Sequence, residues 1–336
     1  MQNHENYMSR ALELAKQAFG QTSPNPMVGA VIVKNGKIIG EGYHKKAGTA
    51  HAEVNAIADA GADAKDADIY VTLEPCSTYG RTPPCTKAII NAGIKRVFIG
   101  SLDPNPDHAG RAVKILNEAG LEVQSGFLQS ECIQLNEHFF HWITTGKPFV
   151  ILKMAMTLDG KIATKSGQSQ WITSPASRGF VQQLRQLSDA ILVGGSTVRE
   201  DNPSLIVREP ENWPCQPKRI ILSHNFTFDK SLNIFNGQKP IFFNPQNQSW
   251  TDFLLDLGKQ QITCLLVEGG GEVAAELLKH KVIDKVHFMI APKILGGRDS
   301  RTVVGGESPQ YLAEAADLKQ TSIAQFGVDF MISGYL

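Results

Sequence analysis

Hydrophobic residues at the start of the chain recur at helical spacing and then give way to short runs that are typical of strands. The helical spacing covers Tyr7, Met8, Ala11, Leu12, Ala15, Ala18 and Phe19. Ser23-Pro24-Asn25-Pro26 should end that helix. Apolar runs at residues 28–33 and 38–42 flank Lys34-Asn35-Gly36-Lys37, whose Asn-Gly pair predicts a β-hairpin.

Beyond the hairpin, predicted strands and helices alternate, as they do in α/β sandwiches. Strands are predicted at residues 69–73, 96–100 and 121–125, and helices at 51–60, around 88–90 and up to Gly120. A connecting helix at 129–145 leads to Gly146-Lys147-Pro148, which is typical of a joint. Strands are then predicted at residues 149–156, 190–193, 219–222, 240–243, 264–267 and 285–290. We therefore predict two α/β domains, 1–146 and 147–336.

Composition agrees with two domains and argues against polyanionic partners. The 336 residues suit two domains better than one, and 42% of them are hydrophobic. Lysine plus arginine equals aspartate plus glutamate at 33 each, and no basic run occurs, so nucleic acid is not an expected partner. Neither a secretory signal nor an apolar membrane span is evident, which predicts a soluble cytoplasmic protein without a membrane partner. The five cysteines suggest metal binding or catalysis rather than disulfides.

Four residues form the strongest chemical pattern: His51, Glu53, Cys76 and Cys85. His-x-Glu followed by Pro-Cys and a second cysteine marks zinc deaminases, although here eight residues separate the cysteines instead of two. A catalytic Zn²⁺ takes three protein ligands and leaves a position for water, so His51, Cys76 and Cys85 are the predicted ligands. Zinc would lower the pKa of that water, and Glu53 would pass its proton to the ring and to the leaving ammonia.

The local context of these residues favours the zinc interpretation over a structural one. Cys76 follows a predicted strand, and Cys85 follows Pro83-Pro84 at a predicted helix start. His51 and Glu53 can act together only at a helix entrance, because positions two apart do not share a helix face. The alternative is a surface histidine beside small buried cysteines, which is what we expect of Cys132, Cys215 and Cys264.

Longer motifs on both sides of residue 146 extend the pattern. They are Ser23-Pro24-Asn25-Pro26-Met27-Val28-Gly29-Ala30, Gly42-Tyr43-His44, the stretch from Pro75 to Cys85, Met156-Thr157-Leu158-Asp159-Gly160-Lys161-Ile162-Ala163, Ser169-Gln170-Trp171-Ile172-Thr173, the stretch from Thr197 to Leu205, and Val267-Glu268-Gly269-Gly270. In this order they resemble the RibD family of bifunctional riboflavin-biosynthesis deaminase–reductases over nearly the whole chain. The resemblance implies a cytidine-deaminase-like three-layer α/β/α domain followed by a dihydrofolate-reductase-like α/β domain.

The resemblance also implies a substrate and residues that hold it. The family deaminates 2,5-diamino-6-(5-phosphoribosylamino)pyrimidin-4(3H)-one and then reduces the ribosyl group of the resulting uracil to ribityl with NADPH. By resemblance, Asn25 and His44 would hold the pyrimidine and Arg81 the phosphate. Taken alone, Asn25 is equally a turn residue and Arg81 a solvated loop charge. One departure is Thr78, where members of the family usually carry histidine.

Glycine turns after two predicted strands suit a nucleotide cofactor in the second half. Gly194-Gly195-Ser196-Thr197 follows one strand and Glu268-Gly269-Gly270-Gly271-Glu272 the other, and backbone amides at a helix start can face a phosphate. A Rossmann domain is rejected, because no acid ends the next predicted strand. Ser223-His224-Asn225 ends another predicted strand with donors that tolerate the 2′-phosphate of NADPH. By resemblance, the cofactor contacts are Ala155, Trp171, Thr197, Asp201, Ser223, Gly269, Gly270, Gly271 and Glu272.

The remaining polar positions of the second half are assigned to catalysis and to substrate binding. Lys153 lies inside an apolar run, either at an edge or as a functional charge in a cleft, and we favour the functional role. Lys153 and Asp201 are the predicted catalytic residues, with Asp201 near the ribose and nicotinamide by resemblance. The predicted substrate contacts are Ser169, Arg185, Leu205, Arg208 and Glu268. Arg185 and Arg208 would meet the phosphate, or else lie on a solvated face.

Two other functions compete with this prediction. A nucleic-acid or nucleotide deaminase fused to an unrelated domain would share the zinc motif, but the balanced charge argues against nucleic acid. A non-catalytic scaffold on a deaminase-like fold would need no free carboxylate at Glu53. Association into a homo-oligomer stays open.

Overall fold

In the computed structural model, which describes residues 2–79, 83–105 and 108–336, two units follow one another along the chain. They are Met1–Gly146 and Lys147–Leu336, so the division falls at the Gly146-Lys147-Pro148 joint. Each unit is built on its own main sheet.

The first unit contains a five-stranded sheet in the order β2-β1-β3-β4-β5. Its elements are α1 (Gln2–Lys16), β1 (Gly29–Lys34), β2 (Lys37–Tyr43), α2 (Ala52–Ala60), a 3₁₀ turn (Gly61–Ala64), β3 (Asp68–Leu73), α3 (Cys85–Asn91), β4 (Arg96–Ser101), α4 (Arg111–Glu118), β5 (Glu122–Ser125), α5 (Gln129–Leu135) and α6 (Glu137–Thr145). The hairpin turn places Asn35 and Gly36 at positive φ, as the Asn-Gly pair predicts.

Alternating strand residues cover both faces of this sheet with apolar side chains. On one face, Ile32, Ile69 and Ile99 pack with residues of α2, α3 and α4. On the other, Tyr70 and Phe98 pack with residues of α1 and α5. The predicted three-layer α/β/α arrangement is confirmed.

Glycines on β2 allow α2 to approach the sheet closely. A Cβ on Gly42 would lie 2.4 Å from both the Ala52 carbonyl oxygen and the Ala56 amide nitrogen. Only a residue without a side chain fits there, so the first turn of α2 rests directly on the strand. This contact fixes the helix entrance at which His51 and Glu53 lie.

The predicted single helix at 129–145 is wrong: the chain forms α5 and α6, which meet at Asn136. Asn136 has φ −121° and ψ 24°, outside the helical range. Its buried carboxamide accepts from the Met27 amide at 2.7 Å and donates to the Met27 carbonyl at 2.8 Å. Asn136 is thus held by two hydrogen bonds to a residue far away in the sequence. The spacing of hydrophobic residues gives no sign of such bonds, so it could not predict the break in the helix.

The second unit contains an eight-stranded sheet in the order β10-β9-β8-β11-β6-β12-β15-β14. Its elements are β6 (Phe149–Thr157), β7 (Lys161–Ala163), α7 (Pro175–Leu187), β8 (Ala190–Gly194), α8 (Gly195–Asp201), β9 (Lys218–Leu222), a 3₁₀ turn (Asn233–Phe235), β10 (Ile241–Phe243), α9 (Trp250–Lys259), β11 (Cys264–Val267), α10 (Gly271–Lys279), β12 (Lys285–Ala291), β13 (Arg301–Thr302), a 3₁₀ turn (Leu312–Glu314), β14 (Lys319–Phe326) and β15 (Asp329–Tyr335). From β10 to β12 the strands are parallel.

Helices cover both faces of the parallel strands. Residues of α9 and α10 pack on one face, with Leu254 and Leu277 buried among Leu152, Leu192 and Leu265. On the other face, α7 and α8 cover a second apolar cluster. The α/β class predicted for this half is confirmed.

Four strands were not predicted from the sequence: β7, β13, β14 and β15. The first two are short and form a separate two-stranded sheet. Strand β14 is an edge strand whose first five residues are exposed, so it lacks the apolar alternation that identifies a strand. It pairs antiparallel with β15, which pairs antiparallel with β12.

The helices among the described residues include none with the length and apolar character that a membrane crossing requires.

Candidate active sites

His51, Cys76 and Cys85 come from two connections of the first unit, His51 from the one between β2 and α2 and both cysteines from the one between β3 and α3. His51 caps the N-terminus of α2 in an extended conformation, and Glu53 lies in the first turn. Cys76 follows β3, and Cys85 opens α3 directly after Pro84. The helix entrances expected for both motifs are therefore present.

The three side chains converge on a common point. His51 Nδ1 lies 3.5 Å from Cys76 Sγ and 3.2 Å from Cys85 Sγ. The three ligand atoms all lie within 4.8 Å of one another. One imidazole and two thiols at this spacing fit the donor set of a tetrahedral zinc ion with one position left for water. Nδ1 is the imidazole atom that faces the sulfurs.

Burial and local donors set the charges around this cluster. The Cys85 thiol, His51 and the Cys85 backbone amide donate to Cys76, and together they hold the pKa of the Cys76 thiol well below its usual range. Burial, and then the charge on Cys76, raises the pKa of Glu53 to about 7. A carboxyl group that titrates near neutral pH is suited to exchanging protons during turnover.

Asn25 and His44 lie beside the cluster. Asn25 Nδ2 is 3.1 Å from His44 Nε2, and the His44 ring contacts the His51 ring edge-on with centroids 5.1 Å apart. His44 Nδ1 lies 3.2 Å from the Ala50 carbonyl oxygen, and burial lowers the pKa of this imidazole. The Asn25 amide also donates to Thr22, so the turn role is present as well. Arg81 lies outside the described residues, whereas Thr78, two positions after Cys76, is half-buried.

Glu74, two residues before Cys76, was not among the residues that we singled out in the sequence. Its buried carboxylate accepts hydrogen bonds from three backbone amides, those of Asp103, Gly110 and Ala112. It thereby ties the segment after β4 to the strand end that carries Cys76. The sequence did offer a reason to consider this residue, because a glutamate at the end of an apolar strand stands directly before Pro75-Cys76.

The second unit contains a cavity of about 1060 Å³ at the carboxyl ends of β6, β8, β9 and β11. All of the cofactor, substrate and catalytic residues predicted for this half line the cavity except Leu205. The volume exceeds the upper end of the range for single small-ligand pockets, so it suits a dinucleotide together with a substrate. Leu205, at φ 49°, buries its side chain in the apolar cluster under α7 instead.

A buried ion-pair network forms the floor of the cavity. Arg185 donates to Glu268 through Nε at 2.6 Å and Nη2 at 3.1 Å, and Lys153 Nζ lies 3.8 Å from Glu268 Oε2. Burial alone would raise the pKa of Glu268, but Arg185 and Lys153 outweigh it and keep that pKa below its usual value. Burial lowers the pKa of Lys153. The sequence analysis placed Lys153 in a cleft, where it lies, but did not foresee its pairing with Glu268.

The glycine turn beside this network begins α10, with Gly270 as its N-cap residue. A Cβ on Gly269 would clash with Val273, and one on Gly271 would lie 2.4 Å from the Thr302 carbonyl oxygen. Packing therefore accounts for these two glycines. A Cβ on Gly270 would meet only Thr197 Oγ1 at 3.6 Å, so this glycine leaves the cavity wall open. Across the cavity, Ser169 Oγ donates to Asp201 at 3.1 Å.

Several cavity residues were missed, including Arg178, Arg199 and the stretch 298–302. Arg178 stacks on Trp171, with the guanidinium 4.6 Å from the ring centroid. Arg301 pairs with Glu200 at 2.5 Å. The stretch 298–302 could have been found from the sequence, because Gly296-Gly297 stands directly before it and follows the predicted strand at 285–290.

The expectation for the cysteines outside the cluster was right for Cys132 and Cys264, which are buried, and wrong for Cys215, which is exposed. Cys215 lies in an irregular loop whose neighbours hold it in place: Trp213 is buried, and Gln216 bonds to the Val207 backbone. Cys215 itself faces solvent between them.

Each unit of the chain matches a known protein family. Residues 1–101 match the family model of the cytidine and deoxycytidylate deaminase zinc-binding region, and residues 148–332 match that of the RibD C-terminal domain. The riboflavin biosynthesis protein RibD of Actinobacillus pleuropneumoniae is 44% identical, over 97% of this chain and 93% of the relative.

Solved structures of two proteins match the chain over nearly its whole length. Acinetobacter baumannii RibD superimposes with a TM-score of 0.92 at 37% identity, over 99% of both chains. A diaminohydroxyphosphoribosylaminopyrimidine deaminase/5-amino-6-(5-phosphoribosylamino)uracil reductase from Thermotoga maritima gives a TM-score of 0.91 at 37% identity, also over 99% of both. The chain therefore belongs to the RibD family, the bifunctional deaminase–reductases of riboflavin biosynthesis.

Proposed function

We propose that residues 1–146 form a zinc-dependent deaminase and residues 147–336 an NADPH-dependent reductase that act on successive phosphoribosylaminopyrimidines. The first substrate would be 2,5-diamino-6-(5-phosphoribosylamino)pyrimidin-4(3H)-one and the second the uracil that its deamination yields. The observation that carries the proposal is the convergence of His51, Cys76 and Cys85 beside buried Glu53. The cytoplasm suits this enzyme, because thiols stay reduced there.

In the deaminase, each residue of the cluster has a distinct task. Bound zinc would lower the pKa of a water molecule towards neutrality. Glu53 would take a proton from the attacking water and return it, first to a ring nitrogen and then to the departing amine. Asn25 and His44, already hydrogen-bonded to each other, would hold the pyrimidine against the cluster.

In the reductase, the cavity would position the cofactor and substrate, while NADPH supplies the hydride. Lys153, with a pKa lowered by burial, would stabilise or protonate the ring oxygen of the sugar, which gains negative charge as its bond to the anomeric carbon breaks and that carbon receives hydride. Glu268 holds Lys153 and Arg185 at one end, and Asp201 would meet the ribose side of the cofactor. Arg208, which adds positive charge near Glu268, would attract the substrate phosphate.

The zinc assignment is tested by metal analysis of the purified protein. About one zinc per chain is expected, from the ligand count of a catalytic site. Cys85→Ser should lose the metal and ammonia release together, whereas the exposed Cys215→Ser is a matched control that should keep both. Full zinc occupancy in a Cys76→Ala/Cys85→Ala variant would refute the ligand set.

The substrate assignment is tested by supplying each pyrimidine separately. The wild-type protein should release ammonia from the diaminopyrimidine phosphate and should oxidise NADPH only when the deaminated ribosyl compound is present. Ammonia release from cytidine in nucleic acid, with none from the diaminopyrimidine, would support the rival editing function instead.

A further inference from the structure

Three segments of the second unit meet at the ion pair between Glu200 and Arg301. Glu200 lies in the last turn of α8, Arg301 opens β13, and both line the reductase cavity. Arg301 donates to Glu200 twice, through Nη1 to Oε2 at 2.5 Å and through Nη2 to Oε1 at 3.2 Å. The third segment is the loop at Gly167, where a Cβ would lie 3.7 Å from Arg301 Nη2 and from Glu200 Oε2. A two-point contact of this kind fixes orientation as well as distance.

The residue after Glu200 is Asp201, to which the proposed function gives a catalytic role. Asp201 ends α8, and its Oδ1 accepts from Ser169 Oγ at 3.1 Å. The charge of Asp201 also helps to raise the pKa of Arg301, after the larger effects of the hydrogen bonds and charge of Glu200. The Arg301 guanidinium is therefore attracted by two consecutive carboxylates at the end of α8.

The segment that carries Arg301 is anchored without the help of this ion pair. Strand β13 pairs antiparallel with β7. The Val303 amide donates to the Gly160 carbonyl at 3.0 Å, and the Gly305 amide donates to the Gly271 carbonyl at 2.9 Å. Arg301 thus extends from a supported backbone and can hold the end of α8 against it.

We propose that Arg301 is a positioning residue of the reductase, which fixes the end of α8 through Glu200 and so holds Asp201 at the cavity. The inference rests on the proposed reductase function, in which Asp201 meets the ribose side of the cofactor. The side chains of Arg301 and Glu200 are 46% and 42% exposed, and exposed ion pairs add little to stability. The pair acts instead through geometry, because displacing a reacting group by about 1 Å can lower a rate about 100-fold.

A double-mutant cycle tests whether Arg301 acts through Asp201. In the full-length protein, Arg301→Gln should lower kcat/KM for NADPH oxidation on the deaminated ribosyl compound by about five- to tenfold. In an Asp201→Ala background the same change should have less than about a twofold effect, because the group that Arg301 positions is gone. Glu200→Gln should reproduce the loss, and combining it with Arg301→Gln should add nothing. Arg301→Lys keeps the charge without the two-point contact and should give an intermediate rate.

A second measurement needs neither cofactor nor turnover. In the ligand-free protein, amide hydrogen exchange in the peptide from 195 to 203 should accelerate in Arg301→Gln and in Glu200→Gln, because the end of α8 loses its tether. Mass spectrometry reports this peptide together with one from β11, a central strand of the same sheet. Exchange in β11 should not change, so it serves as the internal reference.

The matched control is Lys165→Gln, which breaks another exposed ion pair between the loop at Gly167 and the segment of Arg301. Lys165 Nζ lies 2.8 Å from Asp299 Oδ2, and this pair does not include α8. The change should leave kcat/KM within about twofold and exchange at 195–203 unaltered. Thermal unfolding of each variant checks that the second unit stays folded, and Arg301→Lys provides the test if Arg301→Gln does not fold.

Each outcome decides between distinct explanations. An equal loss of rate in the wild-type and Asp201→Ala backgrounds would mean that Arg301 acts without Asp201, and the positioning role would be wrong. A wild-type rate in Arg301→Gln, or an equal loss in Lys165→Gln, would also overturn it. Unchanged exchange at 195–203 in Arg301→Gln would show that the pair does not hold α8. If the wild-type protein itself does not oxidise NADPH on this substrate, the proposed reductase function fails, which is distinct from any failure confined to the variants.

Discussion

At the residue scale, the burial of Glu53 decides what it can do. The side chain is 3% exposed and stands two residues from His51, in the first turn of the same helix. A carboxyl group in this position costs stability when ionised without a partner, and its pKa of about 7 reflects that cost. Such a group is suited to moving protons at neutral pH rather than to holding the metal.

Glu53→Gln should therefore keep zinc and lose deamination. The amide has nearly the same shape but cannot carry the proton, so the rate should fall by a factor on the order of 100 or more. Zinc content and ammonia release are measured on the same preparation, with the wild-type protein beside it. Loss of zinc in this variant would make Glu53 a ligand, and normal turnover would remove it from the mechanism.

Candidate site residues could be predicted from the sequence where a single connection between two elements showed both the residue type and its local context. His51 and Glu53 lie at a helix start, and Cys85 follows two prolines, so type and context together identified them. The Lys153–Glu268–Arg185 network could not be predicted in the same way. Lys153 and Glu268 are 115 positions apart in the chain and meet only because β6 and β11 pair in parallel, with Leu152 opposite Val267. A single sequence gives no register for such strands.

At the scale of elements, the break between α5 and α6 is coupled to the loop that carries Asn25. The Asn136 carboxamide bonds to both backbone polar groups of Met27, two residues after Asn25. Asn136 is 1% exposed, so water cannot replace these bonds. The interruption of the helix thus stabilises the segment that carries Asn25.

Asn136→Ala should destabilise the first unit by about 2–4 kcal/mol, because it leaves a buried donor and a buried acceptor unpaired. Hydrogen exchange at Met27 and its neighbours should accelerate, which mass spectrometry of the peptide from 22 to 31 would report. Asn117→Ala, the same substitution at an exposed position of α4, serves as a control. Unchanged protection at Met27 would show that Asn136 does not hold the loop.

The antiparallel extension of the second sheet carries a buried titratable group. His287 on β12 is 6% exposed, and its Nδ1 lies 2.7 Å from the Ser333 hydroxyl on β15. Burial, with a smaller effect of Lys285, lowers its pKa from 6.5 to about 4. The folded chain therefore keeps His287 neutral in a pH range where the unfolded chain protonates it.

Acid should destabilise the second unit through His287. Its contribution is constant above pH 6.5 and is lost progressively as the pH falls towards 4, to a total of about 3 kcal/mol. His287→Gln should flatten this part of the pH dependence. Urea unfolding at several pH values, followed by tryptophan fluorescence in a Trp142→Phe background, isolates the second unit. An equal slope in both proteins would place the acid sensitivity elsewhere.

At the scale of the whole molecule, the two candidate sites lie in different units of the chain. The cluster of His51, Cys76 and Cys85 lies within Met1–Gly146, and every described residue that lines the cavity belongs to Lys147–Leu336. Each unit has its own sheet and its own apolar clusters. Hydride transfer to a sugar carbon also needs no metal, because the cofactor supplies the hydride and the protein supplies position and charge.

The two activities should therefore be separable by mutation. Glu53→Gln should still oxidise NADPH at the wild-type rate when the deaminated ribosylaminouracil phosphate is supplied. Lys153→Ala and Asp201→Ala should impair that reduction by about tenfold or more and leave ammonia release from the diaminopyrimidine intact. Each variant is given each intermediate, and ammonia and NADPH are followed separately. If folded Glu53→Gln failed to oxidise NADPH on the pre-deaminated substrate, both reactions would depend on Glu53, and a single shared site would replace the two-site model.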